Sequence, residues 1–183
     1  MDAYDGRMTC VVSEDVFDSR DGFVLILHEF IHCAQWDCCE AELKQKLAIA
    51  RAAMKKQDFM WELQYPFPYE SRRVEKAYAR FMKAALDGDA KAVDSGRRRL
   101  RKLLKTSDFE YMAWEEFKEG FARHIENQVR RKLNLQENHS GGEKPLTRIS
   151  FYEGGAAYIA HLCLKDPALC SDPPRLFSKM ISR

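Results

Sequence analysis

The stretch Val24-Leu25-Ile26-Leu27-His28-Glu29-Phe30-Ile31-His32-Cys33-Ala34-Gln35-Trp36 holds two histidines four positions apart, with a glutamate directly after the first. On a helix, residues i and i+4 stand one above the other, so both imidazoles can converge on one metal ion. Glu29 then sits beside that ion, placed to act on water bound there. The metal this pairing suits is zinc, and the chemistry is metal-assisted hydrolysis. A buried histidine is ordinarily a satisfied core residue. Here the flanking Val24, Leu25, Leu27, Ile31 and Ala34 predict a largely apolar, buried helix, in which three unpartnered polar groups would be costly. A zinc ion removes that cost, but two histidines do not complete its coordination.

The third ligand is expected from Glu115-Glu116-Phe117-Lys118-Glu119-Gly120-Phe121-Ala122, in the middle of a long helix. Glu119 stands out because Gly120 follows it. A glycine inside a helix costs about 1 kcal/mol against alanine and usually has a packing reason. The expected reason is close approach to the motif helix, which brings Glu119 to the metal. Glu115 and Glu116 read as a solvated face.

The elements that must position these groups are nearly all helical. Arg7 to Ser13 is the one convincing strand, β-branched after a glycine turn. The motif helix follows a polar connection and runs to about Trp36. Periodicity predicts a helix from Glu40 to about Gln64, striped by Leu43, Leu47, Ala50 and Met54 and ended by Pro66 and Pro68. Further helices are expected from Glu70 to Leu86, burying Val74, Ala77, Phe81 and Ala85, and from Asp89 to about Lys105. Ser107 and Glu110 form a capping-box pattern opening the longest helix, to about Leu133, with Ala113, Phe117, Phe121, Ile125 and Val129 inward. Asn138 to Pro145 reads as a mobile loop. Ser150 and Glu153 repeat the capping pattern before a helix to about Lys165, and Asp172-Pro173-Pro174 opens the last. The fold class is mainly α with a minimal β element, in one domain of 183 residues.

Charge and cysteine usage narrow the function classes. Thirty basic and twenty-eight acidic residues leave a net charge of +2, which predicts no nucleic-acid partner. The basic run Arg97 to Lys105 reads as the solvated face of a helix whose apolar side is Val93, Leu100 and Leu104, with phosphate or nucleic-acid binding there as the alternative. No apolar run reaches membrane-spanning length and the first residues lack a signal-peptide pattern, so a cytoplasmic chain without membrane contact is expected. Six cysteines, Cys10, Cys33, Cys38, Cys39, Cys163 and Cys170, are poorly spaced for a disulfide scaffold or a cysteine zinc site. Free thiols are favoured, with Cys163–Cys170 the one pair placed for a bridge.

Trp114 through Glu126, with Glu119-Gly120-Phe121-Ala122, resembles the W…N-E-G-F-A-x-Y-x-E segment of gluzincin metallopeptidases, the aminopeptidase N family above all. The resemblance implies a thermolysin-like catalytic domain acting on peptide or protein substrates, with His28, His32 and Glu119 on zinc and Glu29 as general base. Tyr152-Glu153-Gly154-Gly155-Ala156 is similar to the family's Y-x-K-G-A segment, which implies Tyr152 as the oxyanion donor. Tyr158, His124 and His161 are reserves for that role. Gly6-Arg7-Met8-Thr9, followed by Glu14, resembles the edge strand that pairs with extended substrate. In contrast to the family's short spacer, 86 residues separate His32 from Glu119. Residues 37–106 therefore read as a helical insert over or beside the cleft. The family's amine-binding G-x-M-E-N is absent near Met1–Asp5, and Lys118 and His124 stand where its asparagine and tyrosine are common. The rival of a different class is a zinc-bearing interaction module with little hydrolysis, against which the intact Glu29 argues.

Overall fold

The computed structural model describes residues 2–182, with side chains from Tyr4 onward. The chain opens with a hairpin of β1 (Asp2–Tyr4) and β2 (Arg7–Thr9), antiparallel with Ala3 opposite Met8. Asp5 and Gly6 make its turn at positive φ. The strand expected to reach Ser13 ends at Thr9, because β1 offers only three residues to pair with.

Nine helices follow among the described residues: α1 (Arg20–Gln35), α2 (Ala41–Lys46), α3 (Ala48–Lys55), α4 (Trp61–Gln64), α5 (Arg72–Leu86), α6 (Ala90–Leu103), α7 (Thr106–Lys132), α8 (Arg148–Lys165) and α9 (Pro173–Ile181). A π-helical turn, Trp36–Glu40, carries α1 into α2. The single helix expected from Glu40 to Gln64 is broken twice. Leu47 turns extended while its side chain enters the core, and Gln57 takes a positive φ. Met54, expected inside, is exposed.

Helix α7 is the axis of the molecule. It packs along α8 and α1, with α9, α3 and α6 against its remaining sides. Trp114, Phe117, Phe151, Tyr111, Phe81 and Leu100 form the fully buried centre. Phe151 of α8 meets Phe67 and Tyr78 edge-on at 5.0 and 5.1 Å, and Trp114 meets Phe177 of α9 at 5.6 Å. The edge-to-face arrangement suits the ring quadrupoles. The hairpin α5–α6 leans on α8 through α5.

Both expected capping boxes are rearranged. α7 opens at Thr106 without a side-chain cap, because Glu110 instead accepts from the Ile49 backbone N–H at 2.9 Å, in the first turn of α3. α8 is boxed by Thr147 and Ser150, while Glu153 is buried and accepts from His139 at 2.8 Å. That bond helps tie down the loop expected to be mobile, as do Arg123 and Asn127, which donate to the Asn138 carbonyl at 3.1 and 3.2 Å. The last helix opens as expected, with the Asp172 carboxylate accepting from the Arg175 N–H at 3.1 Å.

Two arginines of the basic run turn inward. Arg97 is buried, donates to Glu116 at 2.5 Å and to the Met180 carbonyl at 2.9 Å, and Arg101 donates to the Ile181 carbonyl. The run is thus partly a structural clamp on α9. One disulfide, Cys163–Cys170, links α8 to the short turn after it, so the expectation of free thiols fails for this pair. Cys10, Cys33, Cys38 and Cys39 are free. Among the described residues no helix is long and apolar enough to cross a membrane.

Candidate metal centre

Helix α1 is buried on one face only: the histidines are inside as expected, but Leu25 and Leu27, also expected inside, are exposed. Its polar residues face inward, with His28 and His32 only 8% and 5% exposed, while Phe23 and Phe30 are each 53% exposed. The buried stripe is Val24, His28, His32 and Gln35, at helical spacing. Gly22 sets the entry of the helix, since a methyl there would strike the Val16 backbone. Burying a polar stripe is costly unless each group finds a partner, and here each does.

The partner comes from α7. Glu119 Oε2 lies 3.9 Å from His28 Nε2 and 3.5 Å from His32 Nε2, and one ligand atom from each of the three lies within 4.8 Å of the others. Each imidazole is fixed by its other nitrogen. His28 Nδ1 donates to Glu126 Oε2 at 3.0 Å, and His32 Nδ1 donates to Gln35 Oε1 at 3.0 Å. The Gln35 amide in turn donates to the carbonyls of Phe117 and Lys118 at 3.4 and 3.2 Å. Outer partners of this kind set the tautomer and leave Nε2 facing the ion. The three residues therefore fit a zinc ion in donor type and orientation.

Electrostatics agree with the geometry. Burial pulls the His28 pKa down, but hydrogen bonds and charge from Glu119 and Glu126 outweigh it and lift the group to about 9. Burial opposes ionisation of Glu119, yet His28 and His32 hold its carboxyl well below the ordinary range. Glu126, likewise against burial, is brought down to about 2 by His28, Arg130 and Asn138. Without an ion, the cluster is a proton-bridged set of carboxylates and imidazoles.

A cleft of about 750 Å³ opens over the cluster, and Glu29, His28, His32, Glu119, Arg148 and Tyr152 all line it. The Glu29 carboxylate is half-buried there, and among the described residues no hydrogen bond or ion pair holds it. Tyr152 sits in the second turn of α8, one turn later than its expected cap would place it. Its ring lies between the guanidinium groups of Arg148 at 5.2 Å and Arg123 at 5.9 Å. Burial first, then the Glu119 carboxylate, raises the Tyr152 pKa, which keeps the hydroxyl protonated and able to donate.

Several expectations need correction. Gly120 makes its close approach to α8 and not to α1: a methyl there would lie 2.7 Å from Gly155 Cα. A methyl on Gly155 would strike the Glu116 carbonyl, so the two glycines let α7 and α8 touch backbone to backbone. Glu115 and Glu116, expected on a solvated face, are both buried because α7 is covered on nearly every side. Glu116 accepts from Tyr78 at 3.0 Å and from Arg97, and Glu115 accepts from Arg148 at 3.0 Å. Burial pushes Glu115 up to about 8 despite Arg148. None of the reserve residues reaches the cleft. Tyr158 packs on Phe81 at 5.2 Å, and His124 and His161 line a separate cavity. Nor does any residue of the hairpin or of 37–106 line the cleft.

Sequence reasoning passed over Gln35, Arg148 and the role of Glu126. Two had a legible signal. Gln35 follows His32 by three residues, and Glu126 follows Glu119 by seven, both same-face spacings on a helix. Arg148, at the first position of α8, carried none. No protein-family model, no curated protein and no solved structure matches this chain.

Proposed function

We propose that the chain is a zinc-dependent peptidase of the gluzincin type, with a thermolysin-like catalytic plan carried on a mainly helical body. The observation that carries this reading is the convergence of His28 and His32 from α1 with Glu119 from α7, each histidine held by an acceptor on its far nitrogen. When bound by these three residues, zinc would supply a Lewis acid for a carbonyl oxygen and make water acidic enough to attack at neutral pH. Glu29, unengaged in the cleft, takes the proton of the attacking water and delivers it to the departing amine. Tyr152 donates its hydroxyl to the oxyanion that develops on the carbonyl, and the flanking Arg148 steadies that position electrostatically. The substrate is a peptide or protein segment, for which the cleft of about 750 Å³ over the cluster has room.

The deciding experiment is turnover of a mixed peptide library by the zinc-loaded protein. Cleavage should disappear on chelation and return with zinc. Glu29→Gln should retain the metal and lose cleavage, because an amide cannot accept the proton. Zinc retention with no turnover in the parent protein would select the rival reading, a zinc-bearing interaction module.

A further inference from the structure

A second group of metal-competent side chains lies on another flank of α7. His124 comes five residues after Glu119, about 140° further round the helix. It meets Cys163 of α8 and Cys170 of the turn that follows, and one ligand atom from each lies within 4.8 Å of the others. His124 and Cys163 are buried and Cys170 is partly so. The sulfurs are joined as a disulfide, with Cα atoms 5.7 Å apart.

We propose that reduction of the Cys163–Cys170 bridge opens a second zinc site, formed by the two thiolates and the His124 imidazole. The chain then has two forms: a disulfide form that holds metal only at His28, His32 and Glu119, and a dithiol form that holds a second ion. The step balances with a thiol reductant. Two reductant thiols give two electrons and two protons to the S–S bond and leave as their own disulfide. The two cysteine thiols lose those protons to solvent when zinc binds.

The geometry favours this over a purely mechanical staple. Two thiolates on one tetrahedral zinc, each at about 2.3 Å, stand roughly 3.7 Å apart, so only a small opening of the broken bridge is needed. The Gln128 amide nitrogen donates to His124 Nε2 at 2.7 Å, the reverse of the His32–Gln35 bond, so ligation requires either that the ring bind through Nδ1 after losing its proton or that the Gln128 amide turn away. A cavity of about 240 Å³, lined by His124, His161 and Glu153, adjoins the ring and can supply water as the fourth ligand.

The test is cobalt binding by the full chain before and after reduction with a phosphine that does not hold metal. The reduced chain should take up one more cobalt per molecule than the oxidised chain, with a sulfur-to-cobalt charge-transfer band. The first site has no sulfur and cannot produce that band, so the two sites are read separately. In the reduced Cys163→Ser/Cys170→Ser variant the extra ion and the band should both vanish. In reduced His124→Gln, affinity for the extra ion should fall by about tenfold or more. Equal cobalt uptake by the oxidised and reduced parent would overturn the proposal. So would survival of the band in the double serine variant, which would assign it to Cys38 and Cys39.

Discussion

Glu119 Oε2 stands 3.5 Å from His32 Nε2 across a helix–helix contact, although 86 residues of chain separate the two. Its neighbours Glu115 and Glu116, on the same helix, are committed elsewhere, to Arg148 and Arg97. Three glutamates within five positions thus divide between one that faces the two histidines and two structural ion pairs.

That division gives the first prediction. Glu119→Ala should lose most of its zinc, seen by metal analysis after gel filtration, while remaining folded. Glu116→Ala should do the reverse. It leaves Arg97 buried without its carboxylate, a change that costs about 3–5 kcal/mol, so its thermal midpoint should fall sharply while the folded fraction still binds zinc. Zinc lost from Glu116→Ala at unchanged stability would move the ligand.

Tyr152→Phe keeps the ring between Arg148 and Arg123 and removes only the hydroxyl. A donor to the oxyanion predicts a fall in kcat of about 10²–10³-fold with little change in KM or thermal midpoint. Near-parental kcat would reduce Tyr152 to a packing residue.

Metal binding should depend on pH through His28, whose pKa is raised to about 9 by Glu119 and Glu126 against the pull of burial. Below that value the ring carries a proton that zinc must displace, so zinc affinity should rise about tenfold per pH unit until pH 9. Calorimetry in buffers of different ionisation enthalpy should show about one proton released per ion at pH 7.5. In the metal-free chain the sign is opposite. A raised pKa stabilises the fold fully below the ordinary histidine range, and that stabilisation is lost as pH climbs through 9.

Gly155→Ala should be among the most damaging single-methyl changes in the chain, because the added carbon meets the Glu116 backbone. Overpacking of this kind costs about 1–3 kcal/mol, and here it also pushes α8 from α7. Zinc affinity and turnover should therefore fall together with the thermal midpoint, a pairing that the Tyr152→Phe change lacks.

The meeting of His28 and His32 on one face was legible because helical spacing converts directly into a shared face, and a glycine beside Glu119 marked a close contact. Which contact it marked was not legible, since Gly120 meets Gly155, a partner 35 positions further along the chain. Burial of Glu115 and Glu116 was hidden for a related reason. A charged residue reads as surface until the arginine that neutralises it is located, and Arg97 and Arg148 come from other helices. The extent of burial of α1 was overread because its apolar residues are numerous, while only the face carrying Val24, His28, His32 and Gln35 meets α7. Glu110 satisfies the capping pattern in sequence but caps α3 in space.

The Gln35 side chain bonds to His32 with one end and to the α7 backbone with the other. One amide therefore serves as the latch between the two helices that carry His32 and Glu119. Loosening α1 from α7 and misaligning His32 are then a single event. If the proposed ion is bound there, its release through His32 would require a local opening of α1, so its lifetime should shorten steeply with temperature, as unfolding rates do.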